Sequence, residues 1–494
     1  MKKIVFICAA AMLLFVVAKP TDISADENRQ LQEEIIYDIV VDRYNNGDAQ
    51  TGDQVRIDDP EAYHGGDIEG IITKLDTMVE LGFTTISLSP IMANAPDGYH
   101  GYWIEDFYEV EEQFGTMEDV NRLIDEAHER DIKVVIEFVT NYVSLNHPIV
   151  TDPQKEDWIL DGANPPEDLD NVAVLNQDHP EVEAFLMDAA SYWMEETDID
   201  GFKLHAADEA SGEFLKSFTD HIQDRDEDFY ILADTLSANE FVSELKENGA
   251  ITAVENHALH EAMSNVFSQV GTPVSDIYQE VEDQTGLVYI DNKHSKRFTQ
   301  KLAENGRSYL STWKLALTYM YTTPGVPMIF QGSEIPMYGA DAAEAQQLVQ
   351  FNSGDPDLKE FHDRISALRS EFPVLQYGDF EIVETERGMS VFKRTFKDET
   401  MYIALNNDAE TRSVSLTDLE SGIQLKGILG DDIVRENEQG EFKIGLARES
   451  ADVFTIQEDT GFNWTFIGLV GGIFVLFISF IVFLSRKQKQ EQHK

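Results

Sequence analysis

Three side chains able to hold or move protons, His205, Asp234 and His294, each stand at or just beyond the end of a short apolar run. Two imidazoles and a carboxylate are the ligand types that suit zinc or iron, and the same trio can carry general acid–base chemistry. Lys203, Asn292 and Lys293 lie beside them, and Asn141 and Tyr142 follow another apolar run that carries Glu137. A carboxylate inside such a run reads as a buried group paired with a cation. Tyr99, His100, Tyr102 and Trp103 form an aromatic cluster that can either stack on a sugar ring or pack as a loop.

These residues meet only if the runs before them lie side by side. Eight β-branched and apolar runs, Ile35–Asp42, Phe83–Ser89, Lys133–Phe138, Gly201–Leu204, Phe229–Ala233, Ile251–Val254, Leu287–Asp291 and Val326–Phe330, alternate with amphipathic stretches. In Met117–Arg130, for example, Val120, Leu123, Ile124 and Ala127 share one face, as do Val182, Phe185, Leu186, Ala189 and Trp193 in Pro180–Glu196. The alternation predicts an α/β fold, a (β/α)8 TIM barrel over 26–376, whose strands deliver their C-terminal residues to one mouth. Lys203, His205, Asp234, Lys293 and His294 fall at the ends of strands 4, 5 and 7. The Pro-, Asp- and Asn-rich stretch 142–176 is too long for an ordinary βα loop and predicts a short excursion after strand 3. From 377 to 457, short alternating segments such as Met389–Arg394, Met401–Asn406, Ser413–Leu416 and Val453–Ile456, separated by Gly, Asn and Asp turns, predict a C-terminal β-sandwich.

The 494 residues are 42% apolar, 10% aromatic and 26% charged, which excludes a disordered or collagen-like polymer. Lys and Arg number 37 against 92 Asp and Glu, a formal charge of −55 that excludes nucleic acid as a partner. Residues 1–25, with Lys2, Lys3, an apolar run and Ile23-Ser24-Ala25, read as a signal peptide. The only cysteine, Cys8, lies inside it, leaving no thiol for a disulfide, a metal or nucleophilic catalysis. After a linker over 458–463, the uncharged stretch 464–485 predicts one C-terminal transmembrane helix, and Arg486, Lys487, Lys489 and Lys494 in 486–494 predict a cytoplasmic tail. The expectation is a single-pass protein of the cell membrane with an extracellular ectodomain.

The segments Ile36-Tyr37-Asp38-Ile39-Val40-Val41-Asp42-Arg43-Tyr44, Gly65-Gly66-Asp67 with Gly70-Ile71, Tyr99-His100-Gly101-Tyr102-Trp103 and Phe114-Gly115-Thr116 occur in order. Together they closely resemble the α-amylase family, glycoside hydrolase family thirteen, above all its cyclodextrin glucanotransferase and maltogenic amylase branch, over about residues 35–457. The resemblance implies cleavage of α-glucosidic bonds with retention by a carboxylate nucleophile and a carboxylic acid about 5 Å apart. It implies α-glucan or maltooligosaccharide as partner, with Tyr99, His100, Tyr102, Trp103, Tyr142, Lys203, Asn292 and Lys293 at sugar-binding positions.

At the three catalytic positions this sequence departs from the family. Gly-x-Arg-x-Asp is Gly201-Phe202-Lys203-Leu204-His205, so the nucleophile's place holds His205. Gly-Glu, with the general acid, is Ala233-Asp234, one methylene shorter, and Asn-His-Asp is Asn292-Lys293-His294. The sugar-binding His after Asn141 is Tyr142. Asn141 is also the remnant of the family's structural calcium site, and Asn46, Asp48, Asp53, the Gly65 carbonyl and Asp67 resemble the N-terminal calcium loop of the glucanotransferases, with a hydrated acidic turn as the other reading. Three functions stand open: a catalytically impaired family member that binds α-glucan or a protein, a hydrolase with a modified mechanism built on Asp234, and a metal site of His205, His294 and Asp234.

Overall fold

The computed structural model describes residues 29–48, 55–163, 165, 169–236, 245, 249–459, 461 and 464–491, so the expected signal peptide and the end of the tail lie outside the described residues. Eight parallel strands form one sheet: β1 (Ile36–Ile39), β2 (Thr85–Leu88), β3 (Lys133–Val139), β4 (Gly201–His205), β5 (Tyr230–Ala233), β6 (Ala253–Val254), β7 (Leu287–Val288) and β8 (Val326–Phe330). They are the eight runs read from the sequence, five of them shorter, β8 unchanged, and β3 and β4 each one residue longer at the C-terminal end. Their order is β6-β5-β4-β3-β2-β1-β8-β7, and a parallel bridge between Glu255 and Leu287 brings the two edges together into a barrel.

Period-two alternation decides what fills it. Ile36, Val135, Leu232, Leu287, Tyr289, Val326 and Met328 pack together as an inner apolar plug. Further along three of those strands the polar positions are Asp38, Glu137 and, just past β5, Asp234, while β4 supplies Lys203 and His205. The barrel is thus apolar below and charged at its C-terminal mouth. The other faces of the strands pack on the helices, as where Phe138 meets Phe202 at 5.0 Å and Phe218 at 5.8 Å.

The helices follow their local signals. Met117–His128 starts at a reciprocal Thr116–Asp119 capping box and buries Val120, Leu123, Ile124 and Ala127. Pro180–Glu196 begins on proline, is capped by His179, and buries Val182, Leu186, Ala189 and Trp193. The excursion after β3 pairs Tyr142–Ser144 with Val172–Val174. A second excursion, unexpected from the sequence, pairs Met92–Asn94 with Ile104–Val110 and carries the aromatic cluster in its turn.

The C-terminal unit is two antiparallel sheets. One holds β9 (Asp379–Glu386), β10 (Met389–Phe396), β11 (Glu399–Asn406), β13 (Ile423–Gly427), β14 (Ile433–Arg435) and β16 (Ser450–Glu458); the other pairs β12 (Arg412–Leu416) with β15 (Phe442–Leu446). Val414, Leu416, Phe442 and Ile444 from the small sheet pack on Met389, Val391, Ala404 and Phe454 of the large one, the sandwich the alternation called for.

The expected transmembrane helix and the single-pass membrane localisation are overturned. A helix does form over Trp464–Glu491, and its apolar side chains between Leu469 and Val482 are exposed. Among the described residues, no helix is long and apolar enough to cross a membrane.

Candidate functional site

The register of β3 and β4 sets Glu137 opposite Lys203 and Val139 opposite His205, and β4 pairs with β5 through Leu204 and Ala233. His205 ends β4, where the chain turns through Ala206 at φ +49°, a left-handed conformation that a residue with a Cβ adopts at a cost. Three hydrogen bonds hold that turn. Asn141 Nδ2 donates to the carbonyls of His205 and Ala206 at 3.2 and 2.8 Å, and the Ala206 amide donates to Asp234 Oδ1 at 3.3 Å.

The imidazole so placed bridges two carboxylates. His205 Nδ1 lies 2.8 Å from Glu137 Oε1 and 3.0 Å from Asp234 Oδ2. Lys293 Nζ donates to Glu137 Oε2, and the Tyr102 hydroxyl donates to Glu137 Oε1 at 2.8 Å. Lys203 Nζ pairs with Asp38 at 2.8 Å and lies 3.6 Å from Glu255. Glu137, Lys203, His205, Asp234 and Lys293 are all buried. His294 stays at the rim, its side chain 34% exposed and 4.0 Å from Asp234.

Burial alone would strip these groups of charge; the network reverses that for most of them. Desolvation lowers the His205 pKa, but Asp234 and Glu137 raise it to about 9, so the ring is an imidazolium at neutral pH. Burial would raise the Asp234 and Glu137 carboxyls, yet His205 and Lys293 hold the first, and the two lysines with His205 the second, below the usual carboxylate range. Glu255 goes the other way. Burial, reinforced by Asp234 and Asp38 against the pull of Lys203, pushes it up to about 8, which leaves it protonated.

The aromatic cluster is folded into this arrangement. Tyr102 is sandwiched between His205, with ring centroids 4.2 Å apart, and His100, at 5.2 Å. The Arg43 guanidinium covers Tyr99 at 3.8 Å, and Trp103 meets His100 edge-on at 4.8 Å. Tyr142 stands edge-on to His205 at 5.9 Å with its hydroxyl buried and unpartnered. Asn292 accepts from the His294 amide and the Ser295 hydroxyl and so shapes the loop below His294. Packing claims Tyr102 entirely; the half-buried Tyr99, His100 and Trp103 keep partly open surface.

The metal site expected of His205, His294 and Asp234 is not the grouping that forms. Among the described residues, the grouping able to offer three ligand atoms is Glu137, His205 and Asp234, with Glu137 in the place expected of His294. Metal binding needs an unprotonated imidazole. Here the Nδ1 proton already bridges both carboxylates, and the Lys293 ammonium presses on one of them. In the N-terminal loop, Asp67 accepts the amides of Gly47 and Gly70 on one oxygen and of Asp48 on the other, as the cap of helix Ile68–Ile72. Asp53 lies outside the described residues. Asn141 is equally committed, since its Oδ1 accepts from Gln177.

Comparison with known proteins assigns this architecture. The family model of the α-amylase catalytic domain matches residues 38–168 and 167–367, and that of the α-amylase C-terminal domain matches 378–454. The chain belongs to the α-amylase family. Its fold is shared with an Anoxybacillus α-amylase, at 36% identity and a TM-score of 0.83, over 88% of this chain and 100% of that one. A Geobacillus thermoleovorans α-amylase, solved in complex with acarbose, gives 36% and 0.82 over 87% and 100%. The Paenibacillus polymyxa beta/alpha-amylase is 29% identical over 90% of this chain, which spans only 39% of that protein's length. A Bacillus cyclomaltodextrinase is 25% identical over 76% of this chain and 73% of its own. The ion pairs at the mouth of this barrel are only partly legible in the sequence. Glu137 was legible as a cation-paired carboxylate. Asp38 and Glu255 were missed, although each is a carboxylate in or just past a barrel strand.

Proposed function

We propose that this α-amylase-family member binds α-glucan or maltooligosaccharide without hydrolysing it. The observation that carries the reading is the His205 imidazolium locked between Glu137 and Asp234 where the family's resemblance places a carboxylate nucleophile. A retaining glycosidase needs one carboxylate free to attack and one carboxylic acid to protonate the leaving oxygen. His205 cannot form the glycosyl ester, and Asp234, held ionised, has no proton to give. Binding is supported by membership of a family whose Geobacillus thermoleovorans relative was solved with acarbose, and by the open surfaces of Tyr99, His100, Trp103 and His294 around the closed centre.

Isothermal titration of the protein with maltoheptaose, with the incubated mixture analysed chromatographically, tests both halves. The expected result is saturable heat and an intact oligosaccharide. Shortened products at a rate proportional to protein would overturn the reading.

A further inference from the structure

Outside the C-terminal helix, the described residues expose only two large aromatic side chains, Tyr309 at 37% and Tyr338 at 52%. Both line one groove of about 300 Å³, together with Gln347, Gln350, Ser353 and Asp355. Single exposed apolar side chains are ordinary on a protein surface, but two rings that converge on one groove offer a stacking face.

The rings are held in place by the fold. Tyr338 lies in the loop after β8, next to the buried Pro336 and Met337. The Met337 amide donates to the Gly332 carbonyl at 2.9 Å, and the Gly339 carbonyl accepts from the Arg297 amide at 3.0 Å, which fixes the backbone on both sides of the ring. Tyr309 opens the helix Tyr309–Thr322, and its hydroxyl donates to Asp355 Oδ2 at 3.2 Å. Asp355 Oδ1 in turn caps the helix Pro356–Glu371 by accepting the Asp357 amide at 2.9 Å. The hydrogen bond to Asp355 raises the Tyr309 pKa, and the Tyr338 hydroxyl adds to the rise, so the two phenols are neighbours. Rings positioned before a ligand arrives cost little further ordering when it binds.

The polar groups select the ligand's chemistry. Asp355 is the one charged side chain on the lining, and both of its oxygens already accept bonds from the protein. In a chain of formal charge −55 the groove is therefore an uncharged patch. What it presents is amide and hydroxyl, from the exposed Gln347, Gln350 and Tyr338, groups that both donate and accept. Sugar hydroxyls do the same, and the C–H face of a pyranose ring covers a tyrosine face. The volume, at the lower end of the about 300–1,000 Å³ of small-molecule sites, suits a short stretch of saccharide. The loop also adjoins the barrel mouth, where Gln346 Nε2 donates to the Lys293 carbonyl at 2.8 Å.

We propose, on the basis of the α-glucan-binding function above, that this groove is a second glucan site, separate from the barrel mouth, in which Tyr309 and Tyr338 stack on glucose rings and Gln347 and Gln350 bond their hydroxyls. A chain long enough to reach both sites is held at two points, so polymeric glucan binds more tightly than a short oligosaccharide.

Calorimetric titration of the full chain with maltoheptaose tests this. Two equivalents are expected to bind the wild type. Tyr338→Ala, at an exposed position where the fold does not depend on the ring, should weaken one of them by about tenfold or more and leave the other unchanged, whereas Tyr338→Phe should stay within about threefold of the wild type. One equivalent, indifferent to Tyr338→Ala and Tyr309→Ala alike, would overturn this site and leave binding at the mouth standing; no saturable heat would overturn both. Binding of decaproline that is lost in Tyr338→Ala and is not displaced by maltoheptaose would overturn the proposal in favour of a protein partner.

Discussion

His205 Nδ1 sits 3.0 Å from Asp234 Oδ2 while also reaching Glu137 Oε1 at 2.8 Å, so one imidazolium serves two buried carboxylates. Desolvating such a group costs several kcal/mol per ion, and the arrangement persists because each charge has a partner. Removing the shared one leaves two carboxylates dependent on Lys293. His205→Gln, which keeps a donor but no charge, should therefore lower stability by about 3–5 kcal/mol in urea unfolding. A loss under about 1 kcal/mol would mean that the bridge is not a stabilising element.

The same imidazolium gives stability a pH dependence of fixed sign. Its folded pKa of about 9 lies above the ordinary 6.5, so its contribution is complete below pH 6.5 and is lost as pH rises through 9. Glu255 acts in the same direction over a lower window, from its ordinary 4.5 to about 8, because the folded state keeps its proton. Thermal midpoints should fall steadily from about pH 6 to pH 9. The gap between wild type and His205→Gln, wide at pH 6, should narrow by pH 10; a gap that stays constant would contradict the assignment.

Lys203 stands between Asp38 and Glu255. Lys203→Met leaves Asp38 without its cation and should cost about 3–5 kcal/mol, whereas Lys203→Arg, the residue the family motif carries, should recover most of that. Equal losses in the two variants, read from urea midpoints, would make the site steric and not ionic.

Asp67 caps helix Ile68–Ile72 through backbone amides. Asp67→Ala should cost about 0.5–2 kcal/mol, and by the same amount with calcium added or with a chelator present. A loss seen only with calcium would assign the loop to the metal.

The barrel was legible because its eight strands are apolar runs between amphipathic helices, and both periods survive in the sequence. The mouth was legible as a set of altered residues, since strand ends are fixed by the fold. The partnering was not. Which carboxylate meets His205 depends on register between β3 and β4, and no local pattern foretells that Glu137 displaces His294 from the cluster. Likewise the aromatic segment 99–103 looks the same whether its rings face solvent or each other; only the Met92–Asn94 hairpin shows that Tyr102 is enclosed. The apolar run 464–485 does form a helix, but among the described residues no helix is long and apolar enough to cross a membrane.

The proposed binding without hydrolysis rests on the His205 imidazolium between Glu137 and Asp234. The direct test is reducing-end release from starch, maltoheptaose and pullulan, with Asp234→Ala as control and folding verified for both proteins. The expected result is no release above that of the control. Release by the wild type that vanishes in Asp234→Ala would show a working site and contradict it.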